Sequence, residues 1–204
     1  MFTGIVDHLG KFGSYIHSKR EIIIEAPTVS PHINLGDSLA VNGVCLSMIQ
    51  KNGPMLHFNL SEETLKQTNL GQLHRNDVLN LELPLSLSSL LSGHLVTGHI
   101  DGTEKVLKIQ KRGAGQRITL SLSPKLKPFF IPKGSVAVNG VSLTLAEIQP
   151  SSFDVEVIPI TLTQTNIGHL KRGDQVNIES DIIGKYVYNW VFNKDKGLTN
   201  EYKT

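Results

Sequence analysis

The sequence predicts an all-β fold of two tandem homologous domains followed by a C-terminal helix. Residues 38–47 (SLAVNGVCLS) return 97 residues later as residues 135–144 (SVAVNGVSLT), with seven of ten positions identical. The same offset relates residues 64–71 to residues 161–168. Because a period near 97 residues is far too long for a solenoid unit, each repeat is expected to be a domain. Short strand-like segments with turn residues between them run through both repeats and predict a barrel or sandwich in each.

In the first repeat, strand-like runs alternate with turn signals. The predicted strands are residues 21–26, 39–48, 55–60 and 79–83. The turn signals are Gly13, Pro27, residues 34–37 and residues 52–54. Residues 62–67 form one short segment that is expected to be helical. A small closed barrel would remove exposed strand edges, which suits a domain of this length.

The second repeat has the same organisation. Its predicted strands are residues 103–109, 116–122, 135–148, 152–158 and 175–179, with a short helical segment at residues 161–164. Between the repeats, residues 83–93 are apolar and rich in serine without a charged side chain, so this linker is expected to pack against the protein. The predicted domains are residues 1–93, residues 94–182 and a C-terminal helix and tail over residues 183–204.

The tail belongs to neither repeat. Within residues 181–194 the pattern changes to a helical period. Its apolar side chains on one helical face are Ile182, Ile183, Tyr186, Val187, Trp190 and Val191. Such a stripe could pack on its own barrel, but a terminal helix outside both domains favours a role in assembly. Residues from Asp195 onward are polar and are expected to be frayed.

Composition excludes several classes of protein. The 204 residues are 39% hydrophobic and 19% charged, as in an ordinary globular protein. A net charge of +2, with scattered Lys and Arg and 6% aromatic residues, argues against a nucleic-acid groove or an anionic membrane surface. The single Cys45 excludes an intrachain disulfide framework. No apolar run approaches the roughly 20 residues that span a bilayer, and no signal pattern is present, so a cytoplasmic protein is predicted.

The junction of the repeats holds two candidate histidines. Residues 96–102 (VTGHIDG), which include His99, echo residues 1–7 (MFTGIVD). His94 lies in the segment just before them. The spacing of five residues predicts opposite faces of a strand, and therefore different roles. His99 replaces Ile5 of the first repeat, and such asymmetry suits an enzyme that handles two molecules differently.

A second difference between the repeats lies in the central motif. Cys45 and Ser47 of the first repeat correspond to Ser142 and Thr144 of the second. Side chains at i and i+2 of a strand share a face, so each pair can point into one cavity. Tight packing of small residues in a barrel explains the same pattern equally well. The pair Glu62 and Glu63, which becomes Pro159 and Ile160, is explained by default as a solvated turn.

These motifs together resemble the α-chain type of riboflavin synthase. The resemblance runs from Met1 to about Trp190 and is carried by residues 1–6, 41–46, 63–71, 93–102 and 139–144. Each piece is weak alone, but in order and duplicated they are highly specific. The sequence departs from the family pattern at residues 86–92, at Asn76 and at Ile160, which puts the outer contacts of the second pocket in doubt.

The resemblance implies two six-stranded Greek-key barrels of similar fold and a C-terminal helix that builds a homotrimer. It implies a dismutation of two 6,7-dimethyl-8-ribityllumazine molecules by four-carbon transfer, giving riboflavin and 5-amino-6-(ribitylamino)pyrimidinedione. No metal, flavin or nicotinamide cofactor is implied, and lumazine synthase is an expected partner. The reacting pair would meet between the N-terminal barrel of one subunit and the C-terminal barrel of its neighbour. The alternative is a non-catalytic relative that binds lumazine or flavin; such relatives tend to lose the Gly-His and Ser-Leu-Thr motifs, which are intact here.

The resemblance also implies the residues of the two pockets. The first would contain Gly4, Ile5, Val6, Cys45, Leu46, Ser47, Asn59, Leu60, Ser61, Glu62, Glu63 and Thr64. The second would contain Gly98, His99, Ile100, Lys133, Ser142, Leu143, Thr144, Val157, Ile158, Pro159, Ile160, Thr161 and Leu162. His99 is the predicted proton-transfer group. Ser142, Thr144 and Cys45 are expected to orient or supply the nucleophile, with Lys133 and Asp181 as polar support.

Overall fold

In the computed structural model, which describes residues 1–193, the chain forms two closed six-stranded antiparallel barrels and a C-terminal helix. The first barrel consists of β1 (His8–Ile16), β2 (Glu21–Glu25), β3 (Ser38–Val41), β4 (Val44–Asn52), β5 (Met55–Asn59) and β6 (Val78–Glu82). The second consists of β7 (Gly102–Arg112), β8 (Gly115–Ser121), β9 (Ser135–Val138), β10 (Val141–Ile148), β11 (Ser152–Val157) and β12 (Gln175–Ser180). The strands follow the same cyclic order in both barrels, which confirms the predicted fold class.

One short helix connects β5 to β6, and an equivalent helix connects β11 to β12. The helices are α1 (Glu62–Gln67) and α2 (Pro159–Gln164). The Ser61 hydroxyl caps α1 by accepting a hydrogen bond from the Thr64 amide at 3.0 Å. Helix α2 starts with proline instead, which presets the helical φ and needs no donor at that position. One-turn 3-10 helices lie at Ser30–His32, Asn69–Gln72, Lys127–Phe129 and Asn166–His169.

The main correction to the predicted strands lies at the Asn-Gly pairs. Residues 39–48 were expected to form one strand, and residues 135–148 another. In the structure each run turns back on itself, because Asn42 and Gly43 have φ angles of 46° and 80°, and Asn139 and Gly140 have 45° and 81°. Two consecutive residues with positive φ are typical of a tight hairpin turn. Strand β1 was not predicted, since its two glycines obscure the alternation of its apolar residues.

Each barrel encloses its own hydrophobic core, but two short segments cross between them. These crossing segments are residues 2–6 and residues 96–100. Val6 lies in the core of the second barrel, and Ile100 packs against the core of the first. The two segments pair with each other, as the Phe2 amide donates to the Val96 carbonyl at 2.7 Å and the reverse bond measures 3.1 Å. Each repeat therefore contributes a segment that packs against the core of the other repeat's barrel.

A buried network of asparagines joins the barrels at the centre. Its members, three from each repeat, are Asn42, Asn69, Asn80, Asn139, Asn166 and Asn177. The Asn69 amide donates to the Asn177 side chain, and the Asn166 amide donates to the Asn80 side chain, both at 2.7 Å. Because buried amides that bond to one another leave few polar groups unpaired, this network fixes the relative position of the two domains at little cost.

The linker does not pack as predicted. Leu87, Leu90 and Leu91 are 111%, 82% and 51% exposed. The linker is held at its start, where the Leu85 amide donates to the Met1 carbonyl at 2.9 Å, and by serine hydroxyls that bond to one another. These local hydrogen bonds among the serines hold the linker without packing its leucines against either barrel. The expectation that the linker packs was therefore wrong for this chain.

Helix α3 (Ile182–Asn193) follows the second barrel. It contacts that barrel where the ring of Tyr188 meets Phe129 at a centroid distance of 5.3 Å. Gly184 lies where the helix comes near the barrel, because a Cβ there would be 3.3 Å from the Phe129 carbonyl oxygen. Apolar side chains along the helix are exposed: Ile183, Tyr186, Val187, Trp190, Val191 and Phe192.

Two of the predictions about chain organisation are left open. The predicted fraying beyond Asp195 lies outside the described residues, and the boundaries at residues 93 and 182 stay a prediction. Among residues 1–193, the helices are all too short or too polar to cross a bilayer.

Candidate functional site

Two buried carboxylates hold the crossing segments in place. Glu82, at the end of β6, accepts hydrogen bonds from the Thr3 amide (2.6 Å), the Thr3 hydroxyl (2.7 Å) and the Gly4 amide (3.1 Å). Glu179 repeats this arrangement with the Thr97 amide and hydroxyl (both 2.7 Å) and the Gly98 amide (2.9 Å). Burial raises the pKa of both carboxyl groups, and these hydrogen bonds oppose that shift.

The two glycines then touch the central motif of the other repeat. The Ser142 amide donates to the Gly4 carbonyl at 2.7 Å, and the Cys45 amide donates to the Gly98 carbonyl at 3.0 Å. A Cβ at Gly4 would lie 2.7 Å from the Ser142 Cβ, and one at Gly98 would lie 2.4 Å from the Cys45 Cβ. With φ angles of 75° and 83° as well, both positions require glycine. Each glycine thus makes its close approach to a strand of the other repeat, at Ser142 or at Cys45.

This exchange overturns the predicted division of residues between the pockets. Gly4, Ile5 and Val6 had been assigned to the pocket of Cys45, and Gly98, His99 and Ile100 to that of Ser142. The structure brings together the opposite combinations, because each crossing segment lies against the other repeat's barrel. We define the Cys45 pocket as residues 45–47, 59–64 and 98–100. We define the Ser142 pocket as residues 4–6, 133, 142–144 and 157–162.

The predicted site residues fall into two groups by exposure. Those that reach the outer surface of the barrels, at least in part, are Ile5, Cys45, Ser47, Asn59, Ser61, Glu62, Glu63, Thr64, His99, Ile100, Lys133, Ser142, Thr144, Ile158, Pro159, Ile160, Thr161 and Leu162. The buried ones are Gly4, Val6, Leu46, Leu60, Gly98, Leu143 and Val157. Cys45 and Ser47 share the outer face of β4, as predicted, while Leu46 and Met48 point into the core. Packing of these small residues inside the barrel is thereby excluded.

His94 emerges as part of the Ser142 pocket. Its Nδ1 lies 2.7 Å from the Ser142 Oγ, and the His94 amide donates to the Thr3 carbonyl at 3.1 Å. Within the described residues its Nε2 is buried without a hydrogen-bond partner. Burial lowers the pKa of His94, and the Asp181 carboxylate opposes that shift. A neutral imidazole at this distance can accept the proton of the serine hydroxyl.

The two histidines differ in environment, but not for the predicted reason. Neither His94 nor His99 lies in a strand, so the argument from opposite strand faces was wrong. His94 is 8% exposed, whereas His99 is exposed and follows the Gly98 contact with Cys45. Each histidine therefore belongs to a different pocket.

Sequence reasoning missed His94 as a partner of Ser142 and both carboxylates that hold the crossing segments. A signal was present for Glu82 and Glu179, because residues 80–82 match residues 177–179 at the repeat offset. A charged residue retained in both repeats at the end of an otherwise apolar strand indicates a buried hydrogen-bonding role. No such repetition exists for His94.

The pH dependence of stability should contain a contribution from His94. Because its pKa in the folded chain lies below the ordinary value of about 6.5, the unfolded chain binds a proton where the folded chain does not. This contribution is fully present above about pH 6.5 and is lost as the pH falls toward the folded-state pKa. We expect urea titrations of His94→Gln to show a smaller decrease in the free energy of unfolding between about pH 7.5 and 5.5 than those of the wild type.

The comparison with His94→Gln is needed because the raised pKa values of Glu82 and Glu179 act in the opposite direction. Their folded forms hold a proton more tightly than the unfolded chain does, so proton uptake by these two groups favours folding. Only the difference in the free energy of unfolding between the wild type and His94→Gln isolates the contribution of the histidine. Equal losses of stability in both proteins over this pH range would show that the pKa of His94 is not lowered.

A separate cavity of about 730 Å³ lies between the barrels. It is lined by turn residues, among them Asp77 and Asp174, and by the asparagine network. None of the predicted site residues lines it. The described residues also include no cluster of His, Cys, Asp and Glu that could hold a metal ion. The predicted site residues therefore lie apart from this cavity, with Cys45 and Ser47 on the outer face of β4 and Ser142 and Thr144 on the outer face of β10.

Comparison with known proteins gives consistent results. A model of the lumazine binding domain family matches residues 3–84 and again residues 97–181. Riboflavin synthase of Actinobacillus pleuropneumoniae is 39% identical over 95% of this chain and 91% of its own length. The riboflavin synthases of Bacillus amyloliquefaciens and Escherichia coli strain K12 are 36% and 37% identical, covering 98% and 89% of this chain and 94% and 87% of their own lengths.

Among solved structures, LumP complexed with riboflavin superposes with a TM-score of 0.81 at 25% identity, covering 88% of this chain and 99% of LumP. LumP complexed with 6,7-dimethyl-8-(1'-D-ribityl) lumazine gives a TM-score of 0.79 at 22% identity over the same shares of the two chains, which shows likeness of fold.

Proposed function

We propose, because this chain belongs to the riboflavin synthase family of proteins with two lumazine binding domains, that it converts two molecules of 6,7-dimethyl-8-ribityllumazine into riboflavin and 5-amino-6-(ribitylamino)pyrimidinedione. It is a transferase that passes a four-carbon unit from one lumazine to the other. The observation that carries this proposal is the pair of pockets. They have the same backbone plan, and each is completed by the other repeat, yet they carry different reactive groups.

The difference between the pockets matches the two tasks of the reaction. One lumazine must lose a proton from its 7-methyl group, and the other must accept a nucleophile at C7. In the Cys45 pocket, the residue before His99 accepts a hydrogen bond from the Cys45 amide at 3.0 Å, and α1 begins with the acidic residues Glu62 and Glu63. We assign His99 the proton transfer, since an imidazole can both take up and release a proton. Removal of the acidic methyl proton needs mainly positioning and desolvation from the protein.

The Ser142 pocket is suited to the addition step. The Ser142 hydroxyl can attack C7 of the bound lumazine, while His94 Nδ1 takes up the hydroxyl proton at 2.7 Å. Its rim is more apolar than that of the Cys45 pocket, because Ile5, Ile158 and Ile160 are 47%, 60% and 55% exposed. Lys133 supplies a charge at the edge. Apolar side chains around a flat heterocycle exclude water from the reacting atoms.

Assembly into a homotrimer through α3 is part of the proposal. The exposed apolar residues of this helix support it, since a stripe of that kind on a terminal helix is suited to burial against copies of itself. A neighbouring subunit would also bring a Cys45 pocket opposite a Ser142 pocket. The cytoplasmic location and a partnership with lumazine synthase, both expected from the sequence, stay predictions.

Val187→Glu should weaken self-association. Val187 is 57% exposed on α3, so a charge there leaves the folded subunit intact but would be buried in an assembled trimer. We expect sedimentation equilibrium to give the mass of a monomer for this variant at a concentration where the wild type is trimeric. Leu35→Glu is the control, since Leu35 is 72% exposed on the first barrel, away from α3. A trimer of Val187→Glu as stable as that of the wild type would remove α3 from the interface.

The decisive experiment for the function is incubation of the purified protein with 6,7-dimethyl-8-ribityllumazine. Riboflavin formation is followed by absorbance and fluorescence, and the remaining lumazine is measured by chromatography. Two lumazines consumed for each riboflavin formed is the expected result. Tight binding without turnover would favour the second candidate, a non-catalytic lumazine- or flavin-binding protein, which the likeness to the LumP complexes suggests. Absence of binding would contradict both.

A further inference from the structure

Helix α3 makes a polar contact with the chain next to the second crossing segment. The Lys185 Nζ lies 2.8 Å from the Asp101 Oδ1, and both side chains are largely buried, at 21% and 18% exposed. The other carboxylate oxygen of Asp101 accepts hydrogen bonds from the Ser180 amide (2.8 Å) and hydroxyl (2.7 Å). Both oxygens of Asp101 are therefore engaged, one by the barrel and one by the helix.

Asp101 stands two residues after His99. Its own amide donates to the Ile178 carbonyl at 2.9 Å, which ties this end of the crossing segment to β12. At the other end, Glu179 holds Thr97 and Gly98. The exposed His99 thus lies on a short stretch fixed at both ends, and α3 supplies one of the attachments.

The first repeat lacks this attachment. The residue that corresponds to Asp101 is Asp7, whose side chain is 63% exposed and lies 3.5 Å from its neighbour His8. No helix follows β6 as α3 follows β12. Ile5, which takes the place of His99, is consequently on a segment held by Glu82 and by the pairing of His8 with Leu81 of β6, without an ion pair to a helix. The ion pair is found where the segment bears a titratable side chain and is missing where it does not.

Helix α3 is seated firmly enough to act on Asp101. The Asp181 side chain accepts a hydrogen bond from the Ile183 amide at 3.0 Å at the start of the helix. Further along the helix, Gly184 allows close approach to the Phe129 carbonyl, and the ring of Tyr188 meets the ring of Phe129. Lys185 projects from between these contacts, so its position follows the position of the helix.

We propose that Lys185 is a positioning residue, which through Asp101 holds His99 beside the Cys45 pocket and links the docking of α3 to the occupancy of that pocket. The inference rests on the proposed function for its activity readout. By linkage, a lumazine bound in the Cys45 pocket stabilises the docked helix to the same extent that the docked helix strengthens binding. Docking of α3 would then change the affinity of the Cys45 pocket for lumazine, in addition to its role in assembly.

The test is a double-mutant cycle with two matched controls. Lys185→Met removes the charge and keeps the length, and Asp101→Asn keeps an acceptor for Ser180; the double variant completes the cycle. Lys185→Arg restores the charge. Lys125→Met is the second control, because Lys125 donates to the Asp101 carbonyl at 2.9 Å from outside α3. The readouts are amide hydrogen exchange of residues 97–102, the Kd of 6,7-dimethyl-8-ribityllumazine by fluorescence, and kcat/KM.

We expect Lys185→Met to speed exchange in residues 97–102 and to lower kcat/KM by about tenfold, with weaker lumazine binding. Lys185→Arg should recover most of the loss, and Lys125→Met should have little effect. In the Asp101→Asn background, Lys185→Met should add less than about twofold. Bound lumazine should also slow exchange in α3 of the wild type, and this protection should be lost in Lys185→Met.

Three results would overturn the inference. They are unchanged exchange in residues 97–102 of Lys185→Met, additive losses in the cycle, or equal losses from Lys125→Met and Lys185→Met. Failure of the proposed function would give a different result: the wild-type protein would bind lumazine but form no riboflavin. In that case the exchange and binding measurements still decide whether Lys185 controls the segment.

Discussion

Replacing Gly98 by alanine should reduce riboflavin formation by at least about a hundredfold and destabilise the fold by about 2–4 kcal/mol. A Cβ at this position would lie 2.4 Å from the Cys45 Cβ and 2.8 Å from the Cys45 nitrogen. Neither atom can move without disturbing β4. The segment would therefore have to retreat from the barrel, taking His99 away from the Cys45 pocket. The measurements are steady-state turnover and urea unfolding.

Gly36→Ala is the matched control for this experiment. Gly36 has a φ of 87°, close to the 83° of Gly98, but a Cβ there would meet nothing within 4 Å. Its cost should be that of the left-handed backbone alone, about 1–2 kcal/mol, with turnover unchanged. A variant of Gly98 that loses no more than Gly36→Ala in stability and activity would contradict the close contact with Cys45.

Replacing Ser142 by alanine should lower kcat by about 10²–10⁴-fold with a smaller change in lumazine affinity. The hydroxyl is the group that His94 can activate, since its oxygen lies 2.7 Å from the imidazole Nδ1. Because Ser142 is on the outer face of β10, its removal leaves the core of the barrel intact. Rapid-quench measurements of a single turnover would separate the chemical steps from product release.

His94→Gln should cause a loss similar to that of Ser142→Ala, and the double variant should lose little more. Two residues that act as a unit give strongly non-additive losses. His32→Gln is the control for the histidine, since His32 is exposed on a 3-10 turn of the first barrel. Losses that multiply in the double variant would mean that Ser142 and His94 act independently, and His94 would then have no part in activating the serine.

The sequence predicted most of the fold because the duplication tests each expectation twice. Strands β2 and β5, and the helix α1, were predicted to within a residue or so, since their apolar runs end at clear turn signals. The exceptions are strand β1 and the Asn-Gly pairs at residues 42–43 and 139–140. If Asn42 and Gly43 are taken as part of a strand, they continue the apolar pattern on both sides. Only the preference of Asn-Gly for positive φ indicates the hairpin.

The sequence provided candidate site residues but not their arrangement. Cys45 and Ser142 lie on the outer faces of β4 and β10, while the assignment of these residues and of His99 to the site stays a prediction. The exchange of Gly4 and Gly98 between barrels was not predictable from either repeat alone, since both repeats carry the same Thr-Gly pair and the same receiving motif. The contacts of Gly4 with Ser142 and of Gly98 with Cys45 form only when both repeats are folded together.

The reciprocal exchange has a consequence for the origin of the chain. Each repeat is completed by a segment of the other. A single repeat made alone would therefore lack the glycine that contacts its central motif, and its own N-terminal segment would have no second barrel to pack against. Two copies of one repeat could satisfy both needs by lending each other their N-termini, as in a swapped dimer. Fusion of two such genes would keep those contacts and make the partner permanent. It would also free one copy to acquire His99 while the other kept an isoleucine, so that a symmetric ancestor became an asymmetric catalyst.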